Sequence, residues 1–503
     1  MNSLPTEPAA AGAPPSAPRP RTKPAVTAHA AVTAVLDELT SVMQKHGGLL
    51  PSCLDLDTHD LPDVVPGIIP GQREWDRALS GCNLMHDMPL LGLLFDLGAS
   101  PGMSRYGRAA DDYLEAFLAR CTGTATGLFP WGEHSFWSLR DERVGDSIKE
   151  AWPEAADKRW MDGLPEPAWH DHLRQAPAWF WDKVAARSPL ALQRYADGLD
   201  RQWVTDERDE YNRHGGIDRL VRLGHGERSC DFPRHSGFYV LDLACAWKDE
   251  PRPETKEQLQ RFAVYWWGKR HSGGCLRVES RSPAKDVDFF EVLCPSQTLS
   301  LGVSLLDAAQ VLASADPSTA AELSERGREY CLAYRNAPHN RRENLLVGGF
   351  HGGTMAVRKT LPVFGSVYGT YPQAQAGVLC CAAFRQIEDT GLLDLAVAAA
   401  RTCAASTDVL RTARSVPALD AGLALELFAD LHDLTGSAEW MESGMKLWKI
   451  VHERYFTNGL VRVATDENWY EAQQGSGFLL HGAARFAAME GSGPPVPPDY
   501  SAR

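Results

Sequence analysis

The chain has 503 residues, enough for two or three average domains or for one large domain built from repeats. Its formal net charge of −14 argues against a nucleic-acid partner, because phosphate binding needs a basic face and the Lys and Arg residues do not form runs. No stretch approaches about 18 uninterrupted apolar residues, so the sequence predicts no membrane-spanning segment.

The first segment, residues 1–27, is rich in Pro and Ala and lacks the apolar core of a signal peptide, so we predict a disordered tail. The 11 cysteines are scattered and form no CxxC pair. Most of them lie in apolar helical contexts, as Cys245, Cys380 and Cys381 do. This pattern is typical of reduced, buried thiols, and we therefore expect a cytoplasmic protein.

Helices with apolar residues at helical spacing recur in pairs from residue 28 onward, joined by short loops rich in Gly, Pro or Asp. A first helix is predicted over residues 28–46. Pairs follow within residues 84–121, 238–270, 298–335, 375–404 and 420–455, and a last helix lies near 475–490. The longest insertion, about 138–230, is rich in Trp, Pro, Asp and His, and we expect one more pair inside it.

The first helix of each pair is more apolar than the second. Such pairs cannot bury their apolar faces alone and must stack side by side. We predict an all-α toroid of the (α/α)6 type, a single domain over residues 28–490 with long rim loops, followed by a flexible C-terminal tail over 491–503. An open solenoid is the alternative, but the uneven pair lengths and long insertions favour a ring.

The first helices of such pairs all begin at one rim of the ring, where polar and aromatic side chains are crowded. A structural cap needs one Ser, Thr, Asp or Asn per helix, so the additional Gln, Tyr, Arg and His residues indicate a binding site. Carboxylates and amides that bind hydroxyls, beside aromatic faces, suit a sugar ligand. The predicted substrate-binding residues here are His86, Asp87, Arg213, His214, Asp231, Glu291, Gln297, Tyr371, Gln373, Tyr470 and Glu471.

Arg234 and His235 stand at the start of one apolar helix, where the free N–H groups and the helix dipole favour an anion. The guanidinium of Arg234 suits a carboxylate, and His235 can exchange a proton near neutral pH. We predict both as catalytic, together with Tyr239 on the same helix. The alternative is an ion pair between Arg234 and Asp231, with His235 as a core residue.

A second catalytic candidate is the adjacent pair Glu133 and His134, on a Gly- and Pro-shaped loop with Trp131 and Trp137 as predicted substrate-binding aromatics. The alternative places both tryptophans in the core and pairs Glu133 with a nearby arginine.

His170 and His172 have a spacing that can bind zinc, but no matched third ligand is evident, and we interpret them as part of a solvated loop. The glycine-rich stretch around His351 fits neither the P-loop nor the dinucleotide pattern, so we interpret it as a turn. We predict no cofactor and no metal ligand, with a divalent metal left as an open alternative.

The helix pairs and the polar rim resemble the α/α-toroid carbohydrate-active enzymes, which include unsaturated glucuronyl hydrolases, β-glucuronidase-type toroids and the toroid polysaccharide lyases that act on uronic acids. The resemblance covers most of residues 80–490 as architecture. The adjacent Arg234 and His235 are similar to the Arg and His of a toroid pectate lyase family, in which the arginine is the base and the histidine a metal ligand. The surrounding candidates are not spaced as in that family.

The resemblance implies an enzyme that cleaves uronic-acid-containing oligosaccharides. The His, Arg and Tyr residues at the rim favour cleavage by β-elimination. In that mechanism Arg234 or Arg213 holds the carboxylate, His235 or His214 is the base, and Tyr239 or Tyr371 is the acid. A glycoside hydrolase would use two carboxylates such as Glu133, Asp231, Glu291 or Glu471. A sugar epimerase with paired histidines and a non-enzymatic helical scaffold are further alternatives.

Overall fold

The computed structural model describes residues 27–147, 150, 170–174, 176–208, 210–211, 213–220, 232–278, 291–367 and 370–503. The predicted tail over residues 1–27 lies outside these ranges except for Thr27, and so does Asp231. Within them the chain folds into fourteen α-helices and eleven short β-strands.

The helices alternate along the chain between an outer and an inner position. The outer helices are α1 (Ala28–Lys45), α3 (Ser104–Cys121), α5 (Pro189–Asp200), α7 (Pro253–Tyr265), α9 (Pro317–Arg335), α11 (Thr390–Ser406) and α13 (Ala438–Tyr455). The inner helices are α2 (Leu84–Gly98), α4 (Ala178–Arg187), α6 (Pro233–Asp249), α8 (Pro295–Leu312), α10 (Gln373–Ile387), α12 (Ala418–Thr435) and α14 (Ser476–Met489).

Six long pairs build the ring. The inner helices α2, α6, α8, α10 and α12 each pack on the helix that follows them, and α14 packs on α1 from the other end of the chain. The inner helices also pack on one another in the order α6, α8, α10, α12, α14, α2. This arrangement confirms the predicted all-α toroid of the (α/α)6 type.

A seventh, shorter pair, α4 with α5, fills the gap between α2 and α6. Trp179 of α4 lies edge-on to Phe95 of α2, with ring centroids 5.7 Å apart. Trp181 of α4 donates its indole N–H to Asp242 of α6 over 2.7 Å. The pair lies in the long insertion, where the sequence predicted one more pair.

The difference in burial between inner and outer helices follows from their composition. In α12 every residue from Ala421 to Leu431 is buried, whereas α13 buries a stripe that includes Trp440, Leu447 and Val451. The inner helices approach closely because small residues face each other: a Cβ on Gly482 of α14 would lie 2.2 Å from the carbonyl oxygen of Gly422 in α12.

The β-strands all lie in the segments that lead from an outer helix to the next inner helix, so they gather at the rim where the inner helices begin. They are β1 (Cys53–Asp55), β2 (Ser135–Ser138), β3 (Arg143–Asp146), β4 (His170–His172), β5 (His214–Gly216), β6 (Val292–Leu293), β7 (Val347–His351), β8 (Val357–Thr360), β9 (Phe456–Thr457), β10 (Leu460–Val461) and β11 (Trp469–Glu471). The pairings are antiparallel: β1–β11, β2–β3, β4–β5, β6–β7–β8 and β9–β10.

The C-terminal segment is not the flexible tail that its proline content predicted. The Tyr500 hydroxyl donates to Asp430 of α12 over 2.8 Å, and Gln375 of α10 donates to the carbonyl oxygen of Ala502 over 3.0 Å. Arg503 donates to Ser304 of α8 over 3.0 Å. The segment is irregular, but polar groups on three inner helices hold it in place.

No helix in the described ranges is long and apolar enough to cross a membrane. Every cysteine in the same ranges is a free thiol, and Cys230 lies outside them.

Candidate active site

A group of half-buried polar side chains lies at the rim where the inner helices begin, and we call it the rim surface. Its members are His86, Arg174, Arg213, Arg234, Gln297 and Tyr371. The backbone N–H of Arg234 donates to Gln297 over 3.4 Å, and the guanidinium carbon of Arg234 lies 5.6 Å from the centroid of the Tyr371 ring. The structure thus brings together predicted residues from α6, α8 and the segment before α10.

His235 is enclosed behind the rim surface. Its ring is 1% exposed and lies between Phe232 and Phe238, with ring centroids 5.3 and 5.4 Å away. Burial lowers the pKa of His235 well below its ordinary value, and the charges of Arg234, Arg174 and Arg213 lower it further. Burial thus favours the neutral form of His235, and its ring is more enclosed than that of His86, which is half-buried.

His86, at the start of α2, is the half-buried histidine of the rim surface. Asn83 Oδ1 accepts the backbone N–H of His86 over 3.1 Å and lies 3.0 Å from His86 Nδ1. Because that oxygen only accepts, Nδ1 carries the ring proton and Nε2 is the unprotonated nitrogen. Burial lowers the pKa of His86 to about 4, with Arg174 adding to the shift and Glu133 opposing it. His86 is thus an oriented, neutral base.

Three buried histidines form a cluster beside the rim surface. The pairing of β4 with β5 places His172 directly opposite His214, and their Nε2 atoms lie 2.5 Å apart. His134 completes the cluster, with its ring centroid 4.5 Å from that of His172 and 5.8 Å from that of His214. His172 is 4% exposed, so the predicted solvated loop is wrong at this position.

Asp171 attaches the loop that carries His134 to strand β4. This fully buried carboxylate accepts the backbone N–H groups of Gly132, His134 and His172 over 3.0, 2.9 and 2.8 Å. Burial raises the pKa of Asp171 and the three hydrogen bonds lower it, and burial prevails, so that the pKa is about 7. The carboxylate thereby fixes His134 beside His172.

Replacing Asp171 by alanine is expected to lower the free energy of unfolding by about 2–3 kcal/mol, because buried N–H groups lose their acceptor. Chemical denaturation of Asp171→Ala and wild type measures this change. Asp171→Asn, which keeps one acceptor oxygen, should fall between them. An unchanged denaturation midpoint in Asp171→Ala would contradict the role of Asp171 as the link between loop and strand.

Glu133 connects the histidine cluster to the rim surface. Its Oε2 lies 2.6 Å from His172 Nδ1 and accepts from Arg174 Nε over 3.2 Å and from Arg174 Nη2 at short range. Burial raises the pKa of Glu133, but the charge of Arg174 and the hydrogen bond with His172 outweigh it and hold that pKa well below its ordinary value. Glu133 is therefore an ionised partner of an arginine, as the alternative interpretation of the sequence had it.

Asp76 is a further buried carboxylate at the histidine cluster. Its side chain is fully buried, and neither of its carboxylate oxygens has a hydrogen-bond partner among the described residues. Asp76 Oδ1 lies 3.6 Å from His134 Nδ1. Burial raises the pKa of Asp76 to about 8, and the charge of Glu133 adds to the shift.

Three of the predicted site residues lie in the packed interior. Tyr239 is fully buried, with Tyr211 and Phe262 about its ring at centroid distances of 5.0 and 5.1 Å. Trp131 is 1% exposed in an aromatic cluster with Phe129, Phe180, Trp181 and Tyr195. Asp87 accepts the Tyr113 hydroxyl over 2.8 Å, which links α2 to α3. Helical spacing directs Asp87 and Tyr239 to the core, and Trp131 reaches it from the loop before β2.

Two other predicted substrate-binding residues, Gln373 and Glu471, already have protein partners, and a third, Tyr470, is enclosed. Gln373 is fully buried and bonds the backbone of Leu346 and Asn344 over 2.8 and 2.9 Å. Tyr470 is fully buried on β11. Glu471 forms two hydrogen bonds of 2.7 and 2.8 Å with Arg77, and both side chains are 1% exposed. These contacts hold the rim loops together, which corrects the predicted substrate contacts.

The remaining candidates differ in their exposure. Trp137 is half-buried and packs on the core from strand β2, and Glu291 is exposed just before β6. His214 is buried in the histidine cluster instead of facing the rim, and Arg213 beside it is half-buried with its guanidinium 4.6 Å from the Phe232 ring centroid. Asp231 lies outside the described residues.

Sequence reasoning missed Arg174, Asp171 and Asp76. The signal for Arg174 is its position two residues after His172, since alternate residues of an extended segment share one face. Asp76 follows an irregular loop, and its position beside His134 depends on contacts that the sequence pattern does not contain.

No family model matches the chain, and no curated protein matches it. Among solved structures, the chain is similar to the unsaturated glucuronyl hydrolase of Bacillus sp. GL1, at 10% identity over 92% of this chain and 97% of that chain, with a TM-score of 0.43. It is similar to a D-mannose isomerase at 11% identity, over 74% of this chain and 95% of that one, with a TM-score of 0.45. It is also similar to the cellobiose 2-epimerase of Bacillus thermoamylovorans B4167, at 9% identity over 90% of this chain and 99% of that one, with a TM-score of 0.44.

The packing of the helix pairs within the chain itself confirms the predicted toroid architecture. At these identities and TM-scores, the similarities carry no argument about what this chain acts on.

Proposed function

We propose that this chain is an enzyme that cleaves uronic-acid-containing oligosaccharides by β-elimination. The observation that carries the proposal is the placement of Arg213 and Arg234 at one rim of a chain whose net charge is −14, beside Arg174, which is paired with Glu133. Arginine binds carboxylates with two parallel hydrogen bonds, and a cleft of one charge sign attracts a ligand of the other. An acidic sugar is the ligand that this local positive charge suits.

His86 is the base that we assign to the reaction. Its Nδ1 is oriented by Asn83, which leaves Nε2 free to take a proton, and Arg174 is close enough to affect the charge state of both His86 and His235. A general base needs this combination of a fixed ring and an unprotonated nitrogen. His86 replaces His235 in this role because His235 is enclosed, at 1% exposure, whereas His86 is half-buried.

The proposed reaction breaks two bonds of the uronate and forms one. Arg213 and Arg234 hold the carboxylate and stabilise the negative charge that develops when the adjacent C5–H bond is broken. His86 takes that proton, the electron pair forms the C4–C5 double bond, and the C4–O bond breaks. Tyr371, beside Arg234, donates a proton to the leaving oxygen, and the proton on His86 then returns to the phenolate through solvent.

The arrangement of the carboxylates favours elimination over hydrolysis. A glycosidase needs two carboxyl groups that flank the scissile bond. Glu133 is bound by Arg174 and Glu471 by Arg77, while Glu291 is exposed and Asp231 lies outside the described residues. Epimerisation would use the same base and the same arginines, and it is the second candidate because both reactions begin with removal of a proton beside a carbonyl or carboxylate.

A panel of uronate oligosaccharides and their neutral counterparts tests the proposal. Elimination produces ultraviolet absorbance from a double bond conjugated to the carboxylate, and the activity should require the uronate. Arg234→Lys keeps the charge but loses the paired hydrogen bonds, so it should raise KM for uronates. New reducing ends without absorbance would indicate a hydrolase. A product of unchanged mass would indicate an epimerase, and binding without turnover would indicate a scaffold.

A further inference from the structure

We propose that His134, His172 and His214 bind a Zn²⁺ ion. The three side chains each direct a ring nitrogen to one small volume, and these nitrogens all lie within 4.8 Å of one another. They come from the loop before β2 and from the facing strands β4 and β5, so the fold assembles them from distant parts of the sequence. The site lies beside the proposed reaction centre, and none of its three histidines takes part in the proposed reaction.

The hydrogen bonds of His172 show which of its nitrogens is available to a metal. Glu133 Oε2 lies 2.6 Å from His172 Nδ1, closer than Arg174 Nη2 at 3.2 Å. A carboxylate paired with an arginine only accepts, so Nδ1 carries the proton and Nε2 has the lone pair. That lone pair points at His214 Nε2, 2.5 Å away.

In zinc sites, a histidine that binds the metal through one nitrogen usually donates the N–H of its other nitrogen to a carboxylate. Such a carboxylate fixes the ring and makes it a stronger ligand. Glu133 occupies this position behind His172, and Arg174 in turn holds Glu133. The chain therefore supplies the ligands and also the partner that orients one of them.

Asp76 is a second, independent indication of a missing positive charge. Its buried carboxylate has no hydrogen-bond partner among the described residues and lies 3.6 Å from His134 Nδ1. A buried carboxylate is costly unless it is paired or bound to a metal. A divalent cation held by the three histidines would supply the charge that Asp76 faces.

The donor set selects the metal. Three imidazoles suit Zn²⁺, whereas Ca²⁺ and Mg²⁺ prefer oxygen ligands. With Zn–N bonds of about 2.0–2.1 Å in a tetrahedron, two ligand nitrogens stand about 3.3 Å apart, so His172 and His214 need to separate by less than about 1 Å. The ligands are 5%, 4% and 2% exposed, which shields the site from bulk water.

Metal analysis of full-length protein without a polyhistidine tag tests this proposal. We expect mass spectrometry to find one Zn²⁺ per chain. After a chelator has removed the zinc, the protein should bind one equivalent of added Co²⁺ and show the strong visible absorption bands of a four-coordinate ion. His214→Ala should lose both signals. His86→Ala, which removes a nearby histidine outside the cluster, should keep them. Asp76→Asn and Glu133→Gln should weaken Zn²⁺ binding by about 10–100-fold, as loss of supporting carboxylates does elsewhere.

Absence of bound zinc together with no visible Co²⁺ bands in wild type would overturn the proposal, whatever the fate of the variants. Retention of metal by His214→Ala would overturn it too. If His214→Ala does not fold, a higher melting temperature of chelated wild type on addition of Zn²⁺ alone still supports the site, and no change refutes it. Because metal content and sugar turnover are separate readings, failure here leaves the proposed elimination standing, and the reverse also holds.

Discussion

Replacement of His86 by alanine is expected to lower kcat on a uronate substrate by about 10²–10⁴-fold, which is the usual contribution of a general base. The ring lies half-buried at the rim with its Nδ1 fixed by Asn83, so its loss removes the base with little effect on the core. Turnover and melting temperature measured on the same samples separate the two effects.

His235→Ala is the matched control, since it removes a buried histidine behind the same arginines. It leaves a cavity between Phe232 and Phe238, so its melting temperature should fall while turnover of the folded fraction changes much less than in His86→Ala. The opposite result, with His235→Ala inactive and stable and His86→Ala active, would transfer the base to His235.

The pH profile of kcat/KM gives an independent reading of the base. A base acts only in its neutral form, and burial lowers the pKa of His86 from 6.5 to about 4. Activity should therefore persist as pH falls through 6.5 and decline only near 4, because kcat/KM reports ionisations of the free enzyme. An acid limb at the ordinary histidine value would contradict His86 as the base.

Replacement of Glu471 by alanine is expected to lower the free energy of unfolding by about 3–5 kcal/mol, the usual effect of leaving one buried charge without its partner. Arg77 and Glu471 are both 1% exposed and share two hydrogen bonds, and Gln72 and Trp469 each donate to the same carboxylate over 2.8 Å. The pair connects the loop before α2 to strand β11, where the first and last parts of the ring meet.

The exposed pair between Arg401 and Glu439 provides the comparison, because surface ion pairs contribute little. Arg401→Ala should leave the denaturation midpoint nearly unchanged, whereas Glu471→Ala should shift it strongly. If Glu471 were a substrate-binding residue, as the sequence pattern predicted, Glu471→Ala would instead raise KM and leave the denaturation midpoint where it was.

The helices, their pairing and the rim could all be predicted from the amino-acid sequence. Apolar residues at helical spacing mark α8, α10 and α12, and the greater apolar content of α8 than of α9, and of α12 than of α13, identifies the inner layer. These signals are local, because the residues that define a helix face lie three or four positions apart. The crowding of polar residues at the helix starts likewise located Arg234, Gln297 and Tyr371 at one rim.

Which of these residues face the rim and which are buried depends on the folded structure and could not be predicted from the sequence. Residues a few positions apart at a helix start point in different directions, so His86 reaches the rim while Asp87 turns to Tyr113. The histidine cluster needs β4 paired with β5 and the Asp171 carboxylate bound to the loop before β2. Its three members are separated in sequence by 38 and 42 positions, and no local periodicity records a contact over that distance.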